Sequence, residues 1–266
     1  MSINAKNRTE MKTNNAVSQL IRQTKGIKIT GFLSVLMMMV TSILITSCNS
    51  DGDNNGFRGK PLANAVVTVK PMKDGKKFYI WMSEDKVGHA KNYAKSPFGD
   101  KEVRALANLR EEGKDKNGVL QFYVNWMDSI RTKPAVKTLG EKQDIATYGN
   151  DPVDVIRAFP TVAEDGYLTL GFHTMWGVNN NKKHVFNLVM DTNPKDPYEL
   201  EFRHHAHGDV TGVLRPAFIA FRLAKIDSLA KAQGKKKVTL KLKWKSFFGQ
   251  ESVTFDYRVR DDLLKK

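Results

Sequence analysis

A cluster of histidine and acidic side chains between residues 201 and 209 could bind a transition metal. The segment reads Glu-Phe-Arg-His-His-Ala-His-Gly-Asp, and imidazole and carboxylate groups are ligands of zinc and copper. Side chains of an extended strand alternate between two faces, so His205 and His207 share a face that the preceding histidine does not. The candidate metal ligands are therefore His205, His207 and Asp209, and a complete site needs His173 or His184 brought over from another strand. The alternative is a set of polar residues at a strand end.

A tryptophan and a stripe of lysines are candidate ligand-binding residues. Trp176 is expected at the edge of a loop, where the face of its ring could stack on a sugar. Lys241, Lys243 and Lys245 alternate with apolar residues, so their ammonium groups share one face that could contact a polyanion or a lipid headgroup. The competing interpretation is structural, because lysines on an edge strand prevent pairing with other chains.

Sequence patterns typical of enzymes are missing from the chain. It has no Gly-x-Ser-x-Gly, no His-Glu-x-x-His, no phosphate-binding glycine loop and no Gly-x-Gly-x-x-Gly. Its carboxylates are scattered and cannot be paired across a site from their spacing. We therefore predict a protein that is not an enzyme and uses no cofactor.

Cys48 is the only cysteine of the chain, and its surroundings are typical of a bacterial lipobox. Residues 31–45 carry no charge, follow basic residues and lead through small residues to Cys48. As a helix this run spans about 22 Å, short of the roughly 30 Å of a hydrocarbon core, which favours a cleaved signal over a membrane span. We predict a signal peptide over residues 1–47 and lipidation of Cys48, with the true start at Met1 or Met11.

The exported part after Cys48 contains no cysteine, which excludes disulfides, thiolate nucleophiles and cysteine-bound metal centres there. The signal segment holds six basic residues and one acidic residue, so its removal lowers the formal net charge from +15 to +10. Outside the cytoplasm this charge favours anionic lipid, acidic polysaccharide or acidic protein over nucleic acid. A charge that serves only solubility is the alternative.

The hydrophobic pattern predicts an all-β protein with two domains. Residues 48–60 are polar and are expected to form a tether. Residues 61–133 contain runs of β-branched and aromatic residues and predict a small OB-like β-barrel. Residues 134–149 are interpreted as a linker. Residues 150–266 contain seven short candidate strands, which predict an antiparallel immunoglobulin-like β-sandwich.

Two elements of the second domain are expected with the clearest boundaries. Apolar residues alternate with lysines from Lys236 to Lys245 and alternate again from Glu251 to Arg260, which indicates a hairpin. Residues 224–233 are the only predicted helix, ended by Gly234.

Four segments of the second half resemble the NigD-like lipoproteins of Bacteroidetes. They are Asn150-Asp151-Pro152-Val153, residues 165–172, residues 183–189 and the histidine-containing segment 200–209. The resemblance implies an N-terminal OB-like barrel, a C-terminal β-sandwich and an association with bacteriocin loci. It implies no catalytic residue and no cofactor.

These features predict an exported, noncatalytic envelope protein held on a membrane by the lipid on Cys48. The outer membrane is the expected location, with the domains facing either the surface or the periplasm. The expected partner is an envelope protein, a peptide or a glycan and not nucleic acid, and the resemblance implies a role in bacteriocin immunity or an accessory role. The alternative function is a surface lipoprotein that binds glycans or polysaccharides through Trp176, Lys241, Lys243 and Lys245.

Overall fold

The computed structural model describes residues 60–72, 77–177 and 182–260. The predicted signal peptide, Cys48 and all of the predicted tether except Lys60 lie outside the described residues. No helix in the described ranges has the length and apolar character needed to cross a membrane.

Five strands close into a barrel in the first domain. They are β1 (Ala65–Pro71), β2 (Phe78–Ser83), β3 (Lys86–Ala90), β4 (Val103–Lys114) and β5 (Leu120–Ser129). Their order is β1-β2-β3-β5-β4, and β1 also pairs with β4 to close the barrel. The interior is filled by small and branched apolar side chains with two phenylalanines, Phe78 and Phe122. The predicted barrel is confirmed.

Strand β3 was not predicted, because its sequence Lys-Val-Gly-His-Ala has no apolar alternation. Its central glycine has a structural cause. A Cβ atom added to Gly88 would lie 2.3 Å from the carbonyl oxygen of Leu120 on β5, with which β3 pairs in parallel. The backbones of β3 and β5 therefore approach so closely that position 88 requires glycine, a residue type that does not indicate a strand.

The second domain follows with strands and helices in this order: β6 (Thr132–Pro134), β7 (Val136–Lys137), α1 (Glu141–Tyr148), β8 (Asp154–Val155), β9 (Val162–Glu164), β10 (Tyr167–Trp176), β11 (Val185–Met190), β12 (Glu199–His205), β13 (Val213–Arg222), α2 (Ala224–Ala232), β14 (Lys237–Ser246) and β15 (Gly249–Arg258). The front sheet has the order β6-β13-β10-β8, with β9 also on β10. The back sheet has the order β15-β14-β12-β11-β7. The predicted sandwich is confirmed.

The two sheets of the sandwich enclose one apolar core. Inward-facing side chains of β10 to β15 meet between the sheets, with Trp244 and Tyr257 among the largest. Three aromatic rings, Phe172, Phe186 and Phe202, contact one another with centroids 4.5 to 5.9 Å apart. Alternation along each long strand therefore positions the core as the sequence predicts.

Most neighbouring strands are antiparallel, and the hairpin predicted near the end of the chain is confirmed. β14 and β15 pair from Lys237 with Arg258 to Ser246 with Gly249, around a two-residue turn of Phe247 and Phe248. Three pairs of the sandwich run parallel instead, namely β6 with β13, β7 with β11 and β12 with β14. Each of these strands returns to its partner through a long connection, which permits parallel pairing.

The segment 134–149, interpreted as a linker, holds β7 and α1. β7 pairs with β11, so this segment belongs to the sandwich. α1 was not predicted because it has no apolar stripe. The buried carboxylate of Asp144 holds it instead by accepting hydrogen bonds from the Leu139 amide at 2.7 Å and from the Thr138 hydroxyl. The other helix, α2, lies within residues 224–233, as predicted.

Candidate functional site

The lysine stripe lies on an interior strand of the back sheet. β14 pairs with β15 on one side and with β12 on the other, so its interpretation as an edge strand is wrong. Lys241 and Lys243 lie 3.0 and 3.2 Å from the buried carboxylate of Glu199, whereas Lys245 is exposed. Burial alone would raise the pKa of Glu199, but hydrogen bonds from the two lysines lower it. Two of the three candidate lysines thus have a structural role, and ligand binding by the stripe remains a prediction.

Trp176 ends β10 and packs against the edge of the sandwich core. Its ring stacks on the ring of His184 with centroids 4.2 Å apart and an interplanar angle of 22°. Its indole nitrogen is buried and has no hydrogen-bond partner. One face of the tryptophan is therefore already occupied by a protein ring, which weakens the case for a sugar-binding platform.

This packing predicts a mild effect for Trp176→Phe. Phenylalanine keeps an aromatic ring over His184 and removes the unpaired indole N–H, so we expect the free energy of unfolding to change by less than about 1 kcal/mol. Trp176→Ala should lower it by about 2 kcal/mol or more, since the ring contact is lost. Urea denaturation of both variants measures the difference. Equal, large losses would show that the indole nitrogen itself matters.

The histidine segment divides between the core and the surface. His205 and His207 stack with centroids 4.0 Å apart, and the amide of His207 donates to His205 Nδ1 at 3.0 Å. Asp209 is buried and accepts hydrogen bonds from His184 and from the Gly177 amide, each at 3.0 Å. The structure therefore brings His205 and His207 together but gives Asp209 other partners. Across the described ranges, no group of three histidine, aspartate or glutamate side chains is placed to hold a metal ion.

His204 and His184 form a buried pair that the sequence suggested only in part. His184 Nδ1 lies 2.9 Å from His204 Nε2, and His184 Nε2 lies 3.0 Å from Asp209. His204 Nδ1 lies 3.3 Å from the carbonyl oxygen of Pro152. Burial, with the neighbouring His184, lowers the pKa of His204 to about 4. A hydrogen bond from His184 holds the pKa of Asp209 below its usual range.

The densest set of charged side chains lies where the barrel meets the sandwich. An open cavity of about 420 Å³ is found there. Its lining residues come from both domains, and the charged ones among them are of both signs. They are Glu102, Gly166, Arg222, Ala224, Asp227, Ser228, Lys231 and Arg260. Below it an apolar contact joins Val66 and Ile130 of the barrel segment to Tyr167 and Ala220 of the front sheet.

Arg104 of β4 is the centre of this junction. Its side chain is fully buried and donates to Thr68 on β1 at 2.9 Å and to Thr169 on β10 at 3.1 Å. It also pairs with Glu164 on β9 at 2.5 Å. Burial raises the pKa of Glu164 even though the arginine opposes this. One guanidinium thus connects two barrel strands to two strands of the front sheet.

A second group of contacts surrounds Glu102. Arg260 donates to both of its carboxylate oxygens at 2.7 Å, and the Tyr167 hydroxyl donates to one of them at 2.6 Å. Burial alone would raise the pKa of Glu102, but these hydrogen bonds lower it. Burial and the contact with Glu102 raise the pKa of Tyr167, so its hydroxyl keeps its proton. Lys70 of β1 adds a salt bridge to Asp165 at 2.6 Å.

These contacts leave little chemistry available at the junction. Glu102 is held by Arg260 and Tyr167, and Tyr167 also accepts from Arg222 at 2.6 Å. Each group therefore fixes another group in place, which is a structural task. This set of contacts was not predicted from the sequence, although Arg104 stands in an otherwise apolar stretch, Val-Arg-Ala-Leu-Ala. A lone arginine in a buried strand is a usable sign of a buried ion pair.

Residues 134–257 match the model of the NigD-like C-terminal β-sandwich domain. The chain carries a NigD-like sandwich. The predicted resemblance is thereby confirmed, and the matched range begins before β7 and includes α1, in agreement with the structure.

Solved structures of Parabacteroides and Bacteroides proteins resemble this chain over about three quarters of its length. A protein of Parabacteroides distasonis ATCC 8503 described as toxin-related is 28% identical with a TM-score of 0.58, over 75% of this chain and 95% of that one. A NigD-like immunity protein of Bacteroides caccae ATCC 43185 is 22% identical with a TM-score of 0.50, over 73% and 95%. A Bacteroides vulgatus ATCC 8482 protein of unknown function is 18% identical with a TM-score of 0.58, over 74% and 92%. Among curated proteins none matches the chain.

Proposed function

We propose that this NigD-like protein is a lipid-anchored, noncatalytic binding module of the bacterial cell envelope. The observation that carries the noncatalytic part is the barrel–sandwich junction. Its buried charged side chains, with Arg104 and Glu102 as centres, hydrogen-bond to one another across two domains. Groups used in this way connect the barrel to the sandwich, which suits a module that presents a binding surface.

The envelope location rests on Cys48 and the apolar run before it. A diacylglycerol thioether with an N-acyl chain provides more than one hydrocarbon anchor, which stable membrane attachment needs. The polar segment between Cys48 and the barrel would let the domains stand away from the membrane. The outer membrane is the proposed site.

A role linked to bacteriocins rests on similarity of fold. The NigD-like immunity protein of Bacteroides caccae has the same arrangement of domains at 22% identity. An immunity or accessory protein must bind a toxin or its target, and it needs no active site. We therefore place capture of a protein or peptide ahead of the glycan-binding alternative, since Trp176 and two of the three lysines contact other residues of the chain.

The anchor is tested by the change Cys48→Ala, which removes the only sulfur that can be lipidated. We expect metabolic labelling with a fatty acid to mark the natural protein and to leave the variant unlabelled. Protease added to intact cells then distinguishes the two orientations. Digestion of the labelled protein indicates surface display, and digestion only after the outer membrane is opened indicates a periplasmic domain.

Two results would contradict this proposal. Equal labelling of the natural protein and of Cys48→Ala would place the lipid elsewhere, and an absence of label in both would remove the lipoprotein assignment. Restored resistance of a bacteriocin-sensitive strain by the natural protein, lost in Cys48→Ala, would support the immunity role.

A further inference from the structure

One side of strand β13 is free along most of its length. On its inner side it pairs with β10 from Val213 to Arg222. On its outer side β6 pairs only with Ala220–Arg222. No other strand of the described ranges occupies the outer side of residues 213–219, here called the free edge. The free edge is therefore continuous with the part of β13 that already pairs with β6 on its outer side.

The direction of the backbone groups at the free edge follows from one hydrogen bond. The amide of Ala220 donates to the carbonyl oxygen of Arg131 at 3.0 Å, away from β10. Backbone groups alternate along a strand, so the even-numbered residues of β13 point the same way. Leu214 and Phe218 therefore present N–H donors, and Leu214, Pro216 and Phe218 present carbonyl acceptors. Pro216 stands at an edge, where a residue without an N–H is tolerated.

The side chains at the free edge are apolar and exposed. Leu214 is 52% and Phe218 is 40% exposed, and Pro216 between them is exposed as well. Alternation places the three on one face, away from the sandwich core. Phe159, which is 51% exposed, belongs to a loop whose next residue, Pro160, lies over Gly171, the partner of Phe218 on β10. A contiguous apolar surface next to unpaired backbone groups is typical of an interaction site.

The edge of the back sheet shows how this chain protects a strand that has no partner. β15 is the outermost strand there. Apart from Gly249 in the turn, its exposed residues are polar or charged: Gln250, Ser252, Thr254, Asp256 and Arg258. Polar and charged residues discourage strand addition. The free edge of β13 has only Arg215 as a charged residue and Pro216 as a residue without an amide donor, so it is protected less than β15.

The backbone count favours a foreign segment over a second copy of this chain. The free edge presents three acceptors and two donors. Two copies paired edge to edge would together present six carbonyl acceptors but only four amide donors. Two carbonyl groups would then lack a partner. A segment from another protein offers a donor to each of the three carbonyls, so up to five hydrogen bonds form instead of the four possible between two copies, and only its own carbonyl opposite Pro216 lacks a donor.

We propose that the free edge of β13 binds an extended apolar peptide segment of a partner protein as an added strand. Main-chain hydrogen bonds to Leu214, Pro216 and Phe218 supply affinity, and alternate apolar side chains of the segment contact the exposed face. This inference rests on the proposed function as a binding module and names its binding surface.

The test uses the full chain in mild detergent, held on beads through an affinity tag, and a library of random peptides displayed on phage. We expect selection to enrich sequences with apolar residues at every second position. Bound to a synthetic copy of such a peptide, the amides of Leu214 and Phe218 should exchange hydrogen more slowly. The amides of Val213, Arg215 and Ala217 face β10 and should change little. Hydrogen exchange with fragmentation to single residues measures this alternation.

Phe218→Asp places a charge on the free edge and should weaken binding by roughly tenfold or more. Phe248→Asp is the matched control, since Phe248 is 92% exposed at the β14–β15 turn, away from the free edge. It should leave the affinity unchanged. Pro216→Ala adds one donor to the free edge and should strengthen binding by roughly two- to tenfold. This gain cannot arise from a misfolded variant.

Three outcomes would overturn the inference. The library could give no enrichment over empty beads, or both aspartate variants could weaken binding equally. Slow exchange of the Leu214 and Phe218 amides without peptide, together with a dimer by mass, would assign the free edge to a second copy. None of these results depends on lipidation of Cys48, so failure here and failure of the proposed anchor are distinguishable.

Discussion

Replacing Arg104 with methionine is expected to lower the free energy of unfolding by about 3–5 kcal/mol, because removal of one partner of a buried ion pair leaves the other uncompensated. Methionine fills much of the volume, so the effect reports the lost charge and hydrogen bonds. Glu164 loses its cation, and the hydroxyls of Thr68 and Thr169 lose their donor. Urea denaturation followed by tryptophan fluorescence measures the change.

The same strand offers the control. Arg110 of β4 also has an acidic partner, Glu112 at 2.5 Å, and it lies over a tyrosine ring. Its side chain is 66% exposed, and exposed ion pairs contribute little. Arg110→Met should therefore change stability by less than about 0.5 kcal/mol. Similar losses of unfolding free energy in both variants would mean that the buried ion pair of Arg104 stabilises the protein no more than the exposed ion pair of Arg110.

The double variant Arg104→Met with Glu164→Gln separates the charge from the packing. Glutamine removes the unpaired negative charge, so this variant should be more stable than Arg104→Met alone. A double variant that is less stable than Arg104→Met would show that Glu164 has a further stabilising partner. The natural protein should unfold in one transition, whereas Arg104→Met is expected to let the barrel and the sandwich unfold at different urea concentrations.

The long elements could be predicted because local pattern and tertiary packing agree in them. β14 alternates Val238, Leu240, Leu242 and Trp244 with lysines, and all four apolar side chains are buried. The short elements are governed by distant contacts. β3 exists because β5 lies beside it, and α1 exists because Asp144 satisfies backbone and hydroxyl donors. Neither of these contacts produces a hydrophobic periodicity that could be recognised in the sequence.

The candidate site was harder to predict for the same reason. The histidine segment was recognised by its composition, but the residue that completes the buried chain, His184, comes from outside it. Its ring reaches both His204 and Asp209 because β11 pairs with β12 in the register Phe186 to His204. Register between strands that are far apart along the chain is set by the whole sheet, so residue spacing alone could not show it.

Acidification from pH 6.5 to 4.5 is expected to destabilise the natural protein through His204. Its pKa in the folded protein is about 4, below the roughly 6.5 of an unfolded chain. In that range the unfolded state therefore binds more protons. The stabilisation is complete above pH 6.5 and is lost as pH falls toward 4. A shift of this size amounts to about 3 kcal/mol, with a slope of up to about 1.4 kcal/mol per pH unit.

Proton counting explains why His204 stays neutral. The chain of contacts runs from the Asp209 carboxylate through His184 and His204 to the Pro152 carbonyl, and both ends accept. Three hydrogen bonds need three N–H groups, whereas two neutral imidazoles supply two. One added proton, between the two rings, completes the chain. A second proton would set two N–H groups against each other between the rings.

His204→Gln removes this titration, and His205→Gln is the control because His205 lies on the outer face next to His207. The slope of unfolding free energy against pH should flatten in the first variant and stay natural in the second. Comparing slopes makes the test independent of any constant loss of stability. Contributions of other groups are common to both variants and cancel, which matters because burial raises the pKa of Glu164 and of Asp227 and thereby opposes the effect. Equal slopes in the two variants, or an NMR titration of His204 centred near 6.5, would show that the buried pair does not exclude the second proton.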